Sequence, residues 1–302
     1  MKSRILLHGR LMPLLEALLQ QEFDCKRLAE EIDPETYLAV NGHEFKGIVT
    51  AGFADEALMD ACPNVKVISN FGVGADRVDL VAAASKGIVV TKTTNVLDDC
   101  VADLAMGLII NVARGIGEAD RFVRRGDWHS AAFPLRTKVS GKRMGIVGLG
   151  RIGNALARRA MAFDIEIAYH NRSPVTDTVH RYEPSLAALA QWSDFLVVIV
   201  PGGVATRGLI SAHILTALGP EGYLINVSRG TVIDERALVI ALLENRLGGA
   251  ALDVFENEPK VPIELQTLDN VVLLPHIGSA TKETRKAMAQ RVVDNLKSHL
   301  SN

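Results

Sequence analysis

Several features that mark broad classes of protein are scarce or missing in this sequence. Cysteine occurs only three times in 302 residues, at positions 25, 62 and 100. An odd number of widely separated thiols, with no CxxC or Cys/His cluster, favours neither a disulfide framework nor a metal site. We therefore expect reduced thiols, no bound metal and a reducing compartment such as the cytoplasm.

Long apolar runs and an excess of charge are missing too. No stretch approaches the ~18 apolar residues of a membrane-spanning helix. The apolar run that begins at Ile5 stops at His8, which argues against a signal peptide. The net charge of −2 gives no basic surplus for nucleic acid. Neither a membrane nor nucleic acid is therefore an expected partner, and the chain is long enough for two globular domains.

A glycine-rich stretch gives the first positive indication. The segment KRMGIVGLGRIG contains Gly148-x-Gly150-x-x-Gly153. The surrounding pattern predicts a strand, a helix and a second strand, at residues 144–147, 151–162 and 165–169. Such glycines allow a tight turn and close approach of the backbone to a pyrophosphate at a helix N-terminus. An ordinary strand-to-helix turn is the alternative, but the order of elements favours a dinucleotide site.

The end of the second predicted strand bears on which dinucleotide binds. An NAD site usually carries an acidic residue ~20 positions after the glycines, where it bonds the ribose 2′-hydroxyl. Here the chain reads YHNRSP, with Arg172 and Ser173 and no acid. The planar fork of an arginine suits a 2′-phosphate, so this segment favours NADPH. A solvated surface arginine is the alternative interpretation.

Three ionisable side chains follow short apolar runs in the second half of the chain. They are Arg229 in INVSRGTVIDE, Glu258 in ALDVFENEP and His276 in NVVLLPHIGSAT. The runs are typical of parallel strands, whose carboxyl ends share the edge at which ligands bind. A cation, a carboxylate and an imidazole at one edge suit chemistry on a carbonyl compound that bears a carboxylate. Singly, each residue has a structural alternative: a helix-cap arginine, a turn acid and a strand-end histidine.

The remaining pattern predicts alternating strands and helices. Strands are expected at residues 4–7, 47–50, 66–70 and 88–91. Helices are expected from Pro13, near 79–86, over 98–125 as one long element, and over 281–300. This alternation predicts an α/β protein with parallel sheets.

Six motifs in this order resemble the D-isomer-specific 2-hydroxyacid dehydrogenases over nearly the whole chain. They are GVGADRVDL (72–80), TNVLDDCVADLAMGL (94–108), GIVGLGRIG (145–153), INVSRGTVIDE (225–235), GGAALDVFENEP (248–259) and LLPHIGSAT (273–281). Within the family, HNRSP and Pro201-Gly202-Gly203 make the chain most similar to NADPH-preferring glyoxylate and hydroxypyruvate reductases and to hydroxyphenylpyruvate reductases.

The resemblance implies two Rossmann-like, doubly wound domains with parallel sheets and a cleft between them. A discontinuous, flavodoxin-like substrate domain would comprise residues 1–96 and 277–302, and a dinucleotide-binding domain residues 97–276. It also implies a homodimer, in which Trp128 and His129 reach a neighbouring subunit's pocket. A packing role for that tryptophan is equally compatible with the sequence.

The resemblance also implies a reaction: NADPH, or less effectively NADH, reduces a small 2-oxo acid to a D-2-hydroxy acid. His276 would protonate the carbonyl oxygen, and Glu258 would favour the charged imidazole. Arg229 would pair with the substrate carboxylate, whose other oxygen the N–H groups of Val73 and Gly74 would hold.

Further family positions complete the expected site. Thr94 and Asn95 would lie on the substrate side, and Asp253 near the nicotinamide carboxamide. The cofactor contacts would be Gly148, Gly150, Arg151, Ile152, Gly153, Arg172, Ser173, Pro201, Thr206, Val227, Arg229, Asp253, His276 and Gly278.

The sequence is compatible with other substrates and with other classes of protein. The substrate could be an aromatic 2-oxo acid such as hydroxyphenylpyruvate, with Phe53, Leu58, Trp128 and Phe133 as candidate pocket residues. A dinucleotide-sensing, corepressor-like binding protein is a different class, which the lack of long flanking tails disfavours. Other enzymes of the same fold are a third possibility. Formate dehydrogenases typically have glutamine where Glu258 stands, and phosphoglycerate dehydrogenases usually use NAD and often carry an added regulatory domain.

Overall fold

A computed structural model describes residues 2–300 of the chain. It divides into two compact units, one formed by Met1–Leu97 with Ser279–Asn302 and the other by Asp98–Gly278. Each unit has helices around a single sheet whose strand pairings are all parallel. The predicted α/β class with two doubly wound, Rossmann-like units is therefore confirmed.

The first unit has a five-stranded sheet in the order β2-β1-β3-β4-β5. Its strands are β1 (Arg4–His8), β2 (Asp24–Arg27), β3 (Gly47–Thr50), β4 (Val67–Asn70) and β5 (Val89–Lys92). Its helices are α1 (Pro13–Glu22), α2 (Pro34–Asn41), α3 (Glu56–Ala61), α4 (Leu80–Ser85) and, in chain order, α12 (Lys282–Leu300). Four of the strands were predicted; the polar edge strand β2 was not, because its sequence DCKR has no apolar alternation.

Alternation along β1 explains how this unit packs. Ile5 and Leu7 point to the face covered by α1 and α12, where Leu15 and Leu296 are fully buried. Leu6 points to the other face, in a cluster with residues of β3 and β4. Successive side chains of a strand alternate between faces, so a sheet covered on both sides requires an unbroken apolar strand.

The second unit has a seven-stranded sheet in the order β12-β11-β10-β9-β6-β7-β8. Its strands are β6 (Arg143–Val147), β7 (Glu166–His170), β8 (Arg181–Tyr182), β9 (Phe195–Val198), β10 (Tyr223–Asn226), β11 (Gly249–Leu252) and β12 (Val271–Leu273). Its helices are α5 (Asp98–Arg114), α6 (Ile116–Arg124), α7 (Arg151–Met161), α8 (Leu186–Trp192), α9 (Ala212–Leu218), α10 (Glu235–Leu243) and α11 (Ile263–Gln266). The strand order reverses next to β6, and such a switch point is where doubly wound sheets bind ligands.

The single helix predicted over residues 98–125 was wrong, because α5 and α6 are separate helices that meet at an angle of 59°. Gly115 between them has a φ of +61°, a left-handed conformation that ends a helix and that glycine adopts without strain. The Asn111 side chain then accepts the N–H of Gly117 at 3.0 Å in the first turn of α6. Apolar periodicity continues through the break, which hid it at the sequence level.

Among residues 2–300, no single helix has the length and apolar character needed to cross a membrane. The bent pair of α5 and α6 meets that requirement only when its two members are counted together. Much of α5 is buried in the second unit, where Ala102, Ala105 and Ile109 are fully covered. Arg159 on α7 also bonds Asp103 and Asp99 on α5 at 2.6 and 3.0 Å.

Candidate active site in the second unit

The glycine turn lies between β6 and α7, and the surroundings of its three glycines differ. Gly148 has a φ of +105°, and a Cβ there would lie 2.8 Å from the carbonyl oxygen of Ile199. A Cβ on Gly153 would lie 2.6 Å from the Gly148 carbonyl oxygen, so this glycine lets α7 pack against the turn. Gly150 has open space where its Cβ would be. Two glycines shape the turn, and the third leaves room beside it.

The N-terminus of α7 has the character of an anion site. Gly150 is its N-cap residue and supplies no side-chain cap. Because the first N–H groups of a helix lack intrahelical partners, those of the turn containing Arg151 and Ile152 are available to a ligand. The Arg151 side chain is turned to Asp98, with Nε 3.1 Å from the carboxylate. Open space, available N–H groups and a helix dipole fit a dinucleotide pyrophosphate.

Asn171 fastens the glycine turn to the end of β7. Its Oδ1 accepts the Leu149 N–H at 2.8 Å, and its backbone carbonyl accepts the Tyr182 hydroxyl at 3.2 Å. The neighbouring His170 carbonyl accepts the Gly148 N–H at 3.0 Å. No role was predicted for Asn171. The only signal was its position, directly after the strand, where dinucleotide sites place a ribose-binding side chain.

Arg172 and Ser173 follow Asn171 and are both exposed. Within residues 2–300 neither side chain makes a hydrogen bond or an ion pair. Their predicted contact with a 2′-phosphate therefore has no competing partner in the described part of the chain.

Other predicted cofactor residues lie after β9, which pairs with β6, and after β10, which pairs with β9. The Thr206 hydroxyl donates to the Pro201 carbonyl at 2.7 Å and so closes the loop that follows β9. Val227 is partly buried, and its N–H donates to the Val198 carbonyl at 3.3 Å. These residues border the same carboxyl edge as the glycine turn.

The three ionisable residues singled out in the sequence follow neighbouring strands. β10 pairs with β11 and β11 pairs with β12, all in parallel. Arg229, Glu258 and His276 therefore lie on three adjacent loops at one edge of the sheet, as the pattern predicted. Topology, rather than proximity in sequence, brings them together.

Glu258 and His276 form a hydrogen-bonded pair. The imidazole Nδ1 is 2.8 Å from Glu258 Oε2, and Glu258 Oε1 accepts the Phe255 N–H at 3.1 Å. Burial alone would raise the pKa of Glu258, but the bond and charge of His276, the Phe255 N–H and the charge of Arg229 together lower it. Glu258 is therefore ionised at neutral pH, and it holds the imidazole by Nδ1 with Nε2 directed elsewhere.

Asp253 fixes the loop that carries His276. Its two carboxylate oxygens accept the N–H groups of Ile277 and Gly278 at 2.7 and 2.8 Å, and its carbonyl accepts the His276 N–H at 2.9 Å. His276 itself has a φ of +54°, a left-handed conformation that this network supports. Burial raises the pKa of Asp253, and the two N–H bonds oppose that rise. Asp253 thus has a scaffolding function beyond its predicted place near the nicotinamide.

The loop after β10 holds Arg229 through a buried asparagine. The side chain of Asn226 accepts the Ser228 N–H and donates to the Arg229 carbonyl, each at 3.0 Å. The Arg229 guanidinium donates to the Ser228 carbonyl at 2.7 Å. A Cβ on Gly230 would lie 1.9 Å from the backbone carbon of Phe255, so the loops of Arg229 and Glu258 touch at this glycine. Asn226 was missed by sequence analysis, although a polar residue ending an apolar strand was its signal.

In the first unit, the predicted substrate loop follows β4. The Asn70 side chain donates to the carbonyls of Gly72 and Gly74 at 3.2 and 2.8 Å, which shapes the turn containing Val73. Asn95 has a φ of +67°, and Thr94 beside it is partly buried. The assignment of Val73 and Gly74 to the substrate carboxylate stays a prediction.

The candidate pocket side chains have different surroundings. Leu58 is only 7% exposed and packs in the core of the first unit, and its place in a pocket stays a prediction. Phe53 is 55% exposed, and Trp128 is 69% exposed. Phe133 packs edge-on against Phe122, with ring centroids 5.5 Å apart.

Two of the three cysteines are disfavoured as nucleophiles by burial. Burial raises the pKa of Cys25 and of Cys62 to about 11, which disfavours the reactive thiolate. Cys100 is partly buried. Within residues 2–300, no group of three His, Cys, Asp or Glu side chains is arranged to hold a metal ion.

A glycine turn at the switch point and an acid–base pair at the same edge of one parallel sheet define a dinucleotide-dependent oxidoreductase. The NAD-binding domain model of the D-isomer-specific 2-hydroxyacid dehydrogenases matches residues 106–278. Hydroxyphenylpyruvate reductase of Plectranthus scutellarioides is 50% identical over 290 residues, covering 95% of this chain and 92% of the relative. Glyoxylate/hydroxypyruvate reductase A of Arabidopsis thaliana is 48% identical, with the same coverage of both chains.

A solved structure is similar over the whole chain. The NADPH-dependent glyoxylate/hydroxypyruvate reductase of Sinorhizobium meliloti, crystallised with NADP and malonate, has a TM-score of 0.94 and 44% identity. The match covers 100% of this chain and 95% of that one. The chain belongs to the D-isomer-specific 2-hydroxyacid dehydrogenase family, as its motifs predicted. It is an oxidoreductase that uses a nicotinamide dinucleotide, so a sensing protein without enzymatic activity is not favoured.

Proposed function

We propose that the protein reduces small 2-oxo acids, glyoxylate and hydroxypyruvate, to D-2-hydroxy acids with NADPH. The observation that carries this proposal is the 2.8 Å bond between His276 and Glu258, on the loops after β12 and β11, with Arg229 on the loop after the next strand, β10. This trio supplies a proton donor, a group that keeps the donor charged and a cation for a carboxylate. A 2-oxo acid needs all three when its carbonyl is reduced.

The proposed chemistry assigns one task to each side chain. The reduced nicotinamide supplies the hydride when it is bound. Arg229 pairs with the substrate carboxylate and polarises the neighbouring carbonyl. The imidazolium of His276 gives a proton from Nε2 to the carbonyl oxygen as negative charge develops there. Glu258, ionised at neutral pH because its pKa is lowered, stabilises the charged imidazole through Nδ1.

The preference for NADPH is proposed from Arg172 and Ser173. Both are exposed and without hydrogen-bonding or ionic partners among residues 2–300. Asn171 stands where a carboxylate would repel a 2′-phosphate, and its side chain is engaged with the glycine turn. The Sinorhizobium reductase, described as NADPH-dependent, supports the same assignment.

Aromatic 2-oxo acids are a second candidate class of substrate. The relative from Plectranthus, which is 50% identical, is a hydroxyphenylpyruvate reductase by name. Phe53, one of the candidate pocket side chains, is 55% exposed. Cytoplasmic location and a homodimer complete the proposal; sedimentation or light scattering of the purified protein tests the dimer.

The test follows NADPH consumption by absorbance with glyoxylate, hydroxypyruvate, pyruvate and hydroxyphenylpyruvate, and then repeats the series with NADH. Higher kcat/KM for the two small acids, and for NADPH over NADH, is the expected result. Preference for hydroxyphenylpyruvate would select the second candidate. If none of the four acids is reduced although NADPH binds tightly, the proposed substrate class is wrong.

A further inference from the structure

The acid that opens α10 has no part in the proposed chemistry, yet it reaches the loop that carries Glu258. Glu235 Oε2 accepts the backbone N–H of Glu256 at 3.1 Å. Glu235 is partly buried, and burial raises the pKa of its carboxyl while the Glu256 N–H opposes that rise. The charge of Glu256 raises it further. The chain therefore keeps a carboxylate where desolvation disfavours it, in contact with this loop.

Two carboxylates hold consecutive N–H groups of the same turn. Glu258 accepts the Phe255 N–H at 3.1 Å, and Glu235 accepts the Glu256 N–H at the same distance. Phe255 is 6% exposed in the core, and the glycine at 230 lets its backbone approach the preceding loop. The turn at Phe255 and Glu256 is thus fixed by Glu258, by Glu235 and by the contact with Gly230.

Helix α10 gives Glu235 a firm base. Its N-cap Asp234 accepts the Ala237 N–H at 3.0 Å, and Leu238 and Leu242 are each 1% exposed in the core. Among residues 2–300, Glu256 also forms an ion pair with Arg207 at 3.1 Å, and the arginine side chain is 65% exposed. Exposed ion pairs contribute little. The hydrogen bond from the Glu256 N–H to Glu235 therefore anchors the turn to a well-packed helix, α10.

We infer that Glu235 is a positioning residue for the reaction: by holding the Glu256 N–H it keeps the turn in the geometry that joins Glu258 to His276. This inference rests on the proposed role of His276 as proton donor. The other charged groups that act on the pair are Asp253 and Arg229. Asp253 bonds the loop of His276, and the Arg229 guanidinium donates to the Ser228 carbonyl. Comparing loss of the Glu235 carboxylate with its replacement by an amide therefore tests the bond to the Glu256 N–H.

The test compares Glu235→Ala with Glu235→Gln, whose amide oxygen can still accept the N–H. Glu235→Ala should lower kcat on the order of tenfold, because small misplacements of a catalytic group are costly, and leave the KM for NADPH unchanged. The alkaline limb of its rate profile should move to lower pH. Glu235→Gln should keep both kcat and the alkaline limb at their wild-type values. Glu244→Ala, which removes an acid at the other end of α10 paired with Arg246, is the matched control.

A second readout needs no turnover. The His276 imidazole can be titrated by NMR in the purified protein, with its resonance identified by its loss in His276→Asn. Its titration midpoint should fall in Glu235→Ala and stay unchanged in Glu235→Gln. A midpoint unmoved in Glu235→Ala, or one lowered equally in Glu235→Gln, would overturn the inference. Absence of 2-oxo acid reduction by the wild type would instead refute the proposed function and leave this titration informative.

A double mutant separates positioning from general damage. If Glu235 acts through Glu258, Glu235→Ala should have no further effect on kcat in a Glu258→Gln background. Full additivity of the two losses would show that Glu235 acts by another route and would also overturn the inference. The fraction of folded protein is checked by circular dichroism for each variant.

Discussion

Two parts of one sheet edge in the second unit are built in contrasting ways. At the ends of β10, β11 and β12, Arg229, Glu258 and His276 all have partners within the protein, and Asp253 and Asn226 bond the loops beneath them. At the end of β7, the exposed Arg172 and Ser173 make no hydrogen bond or ion pair with the rest of residues 2–300.

The contrast separates two kinds of function. Groups that act in a transition state gain from being held in place beforehand, because the reaction then has no reorganisation to complete. Groups that recognise a charged ligand can stay solvated until it arrives, and its phosphate then supplies their partner. We therefore expect changes at the first region to alter kcat and its pH dependence. Changes at the second should alter KM and the choice of cofactor.

The largest effect is expected from removing the proposed proton donor. His276→Asn should lower kcat by about 10²–10⁴-fold, the usual contribution of a general acid, while NADPH still binds with its normal Kd. Asparagine is chosen because it tolerates the left-handed conformation of this residue better than alanine. Steady-state rates and fluorescence titration of NADPH measure the two quantities. Turnover within tenfold of the wild type would mean that His276 is not the general acid.

Glu258→Gln tests the electrostatic half of the same pair. Reduction requires the imidazolium, whose fraction falls as pH rises. The bond and charge of His276 lower the pKa of Glu258, and this coupling is reciprocal, so loss of the carboxylate should move the alkaline limb of kcat to lower pH. A limb that does not move would remove Glu258 from this role.

Arg172→Ala probes the other region. Loss of a charge-assisted contact costs roughly 1.5–3 kcal/mol, so kcat/KM for NADPH should fall by about ten- to a hundredfold, mainly through KM. The value for NADH should hardly change, because NADH has no 2′-phosphate. Arg158→Ala removes another exposed arginine, in the last turn of α7, and serves as the control. Equal losses with both cofactors would argue against a 2′-phosphate contact.

The features of the fold and site that could be predicted from the sequence are those with a local pattern. Strands β10, β11 and β12 are apolar runs with polar residues soon after them, so their shared edge followed from the physics of parallel sheets. The glycine turn was predictable because only glycine fits the close contacts at Gly148 and Gly153. Such features depend on one segment at a time and leave a local pattern.

What the sequence did not reveal depends on partners far along the chain. Asn171 is 22 residues from the N–H that it accepts, and Glu235 is 21 residues from its own. An amide or acid at a helix or strand end is compatible with many roles until its partner is known. The break at Gly115 was hidden for a different reason, because the apolar periodicity of α5 and α6 continues across it.

Ser173→Ala should give the smallest effect and so sharpens the comparison. A neutral hydroxyl contributes roughly 0.5–1.5 kcal/mol to a hydrogen bond, which corresponds to a two- to tenfold rise in the KM for NADPH. Neither kcat nor the pH profile should change, because the residue lies in the region that binds rather than reacts. The double variant with Arg172→Ala should show less than the sum of the two effects if both contact one phosphate. A change in the alkaline limb of kcat would instead mean that the two regions do not function separately.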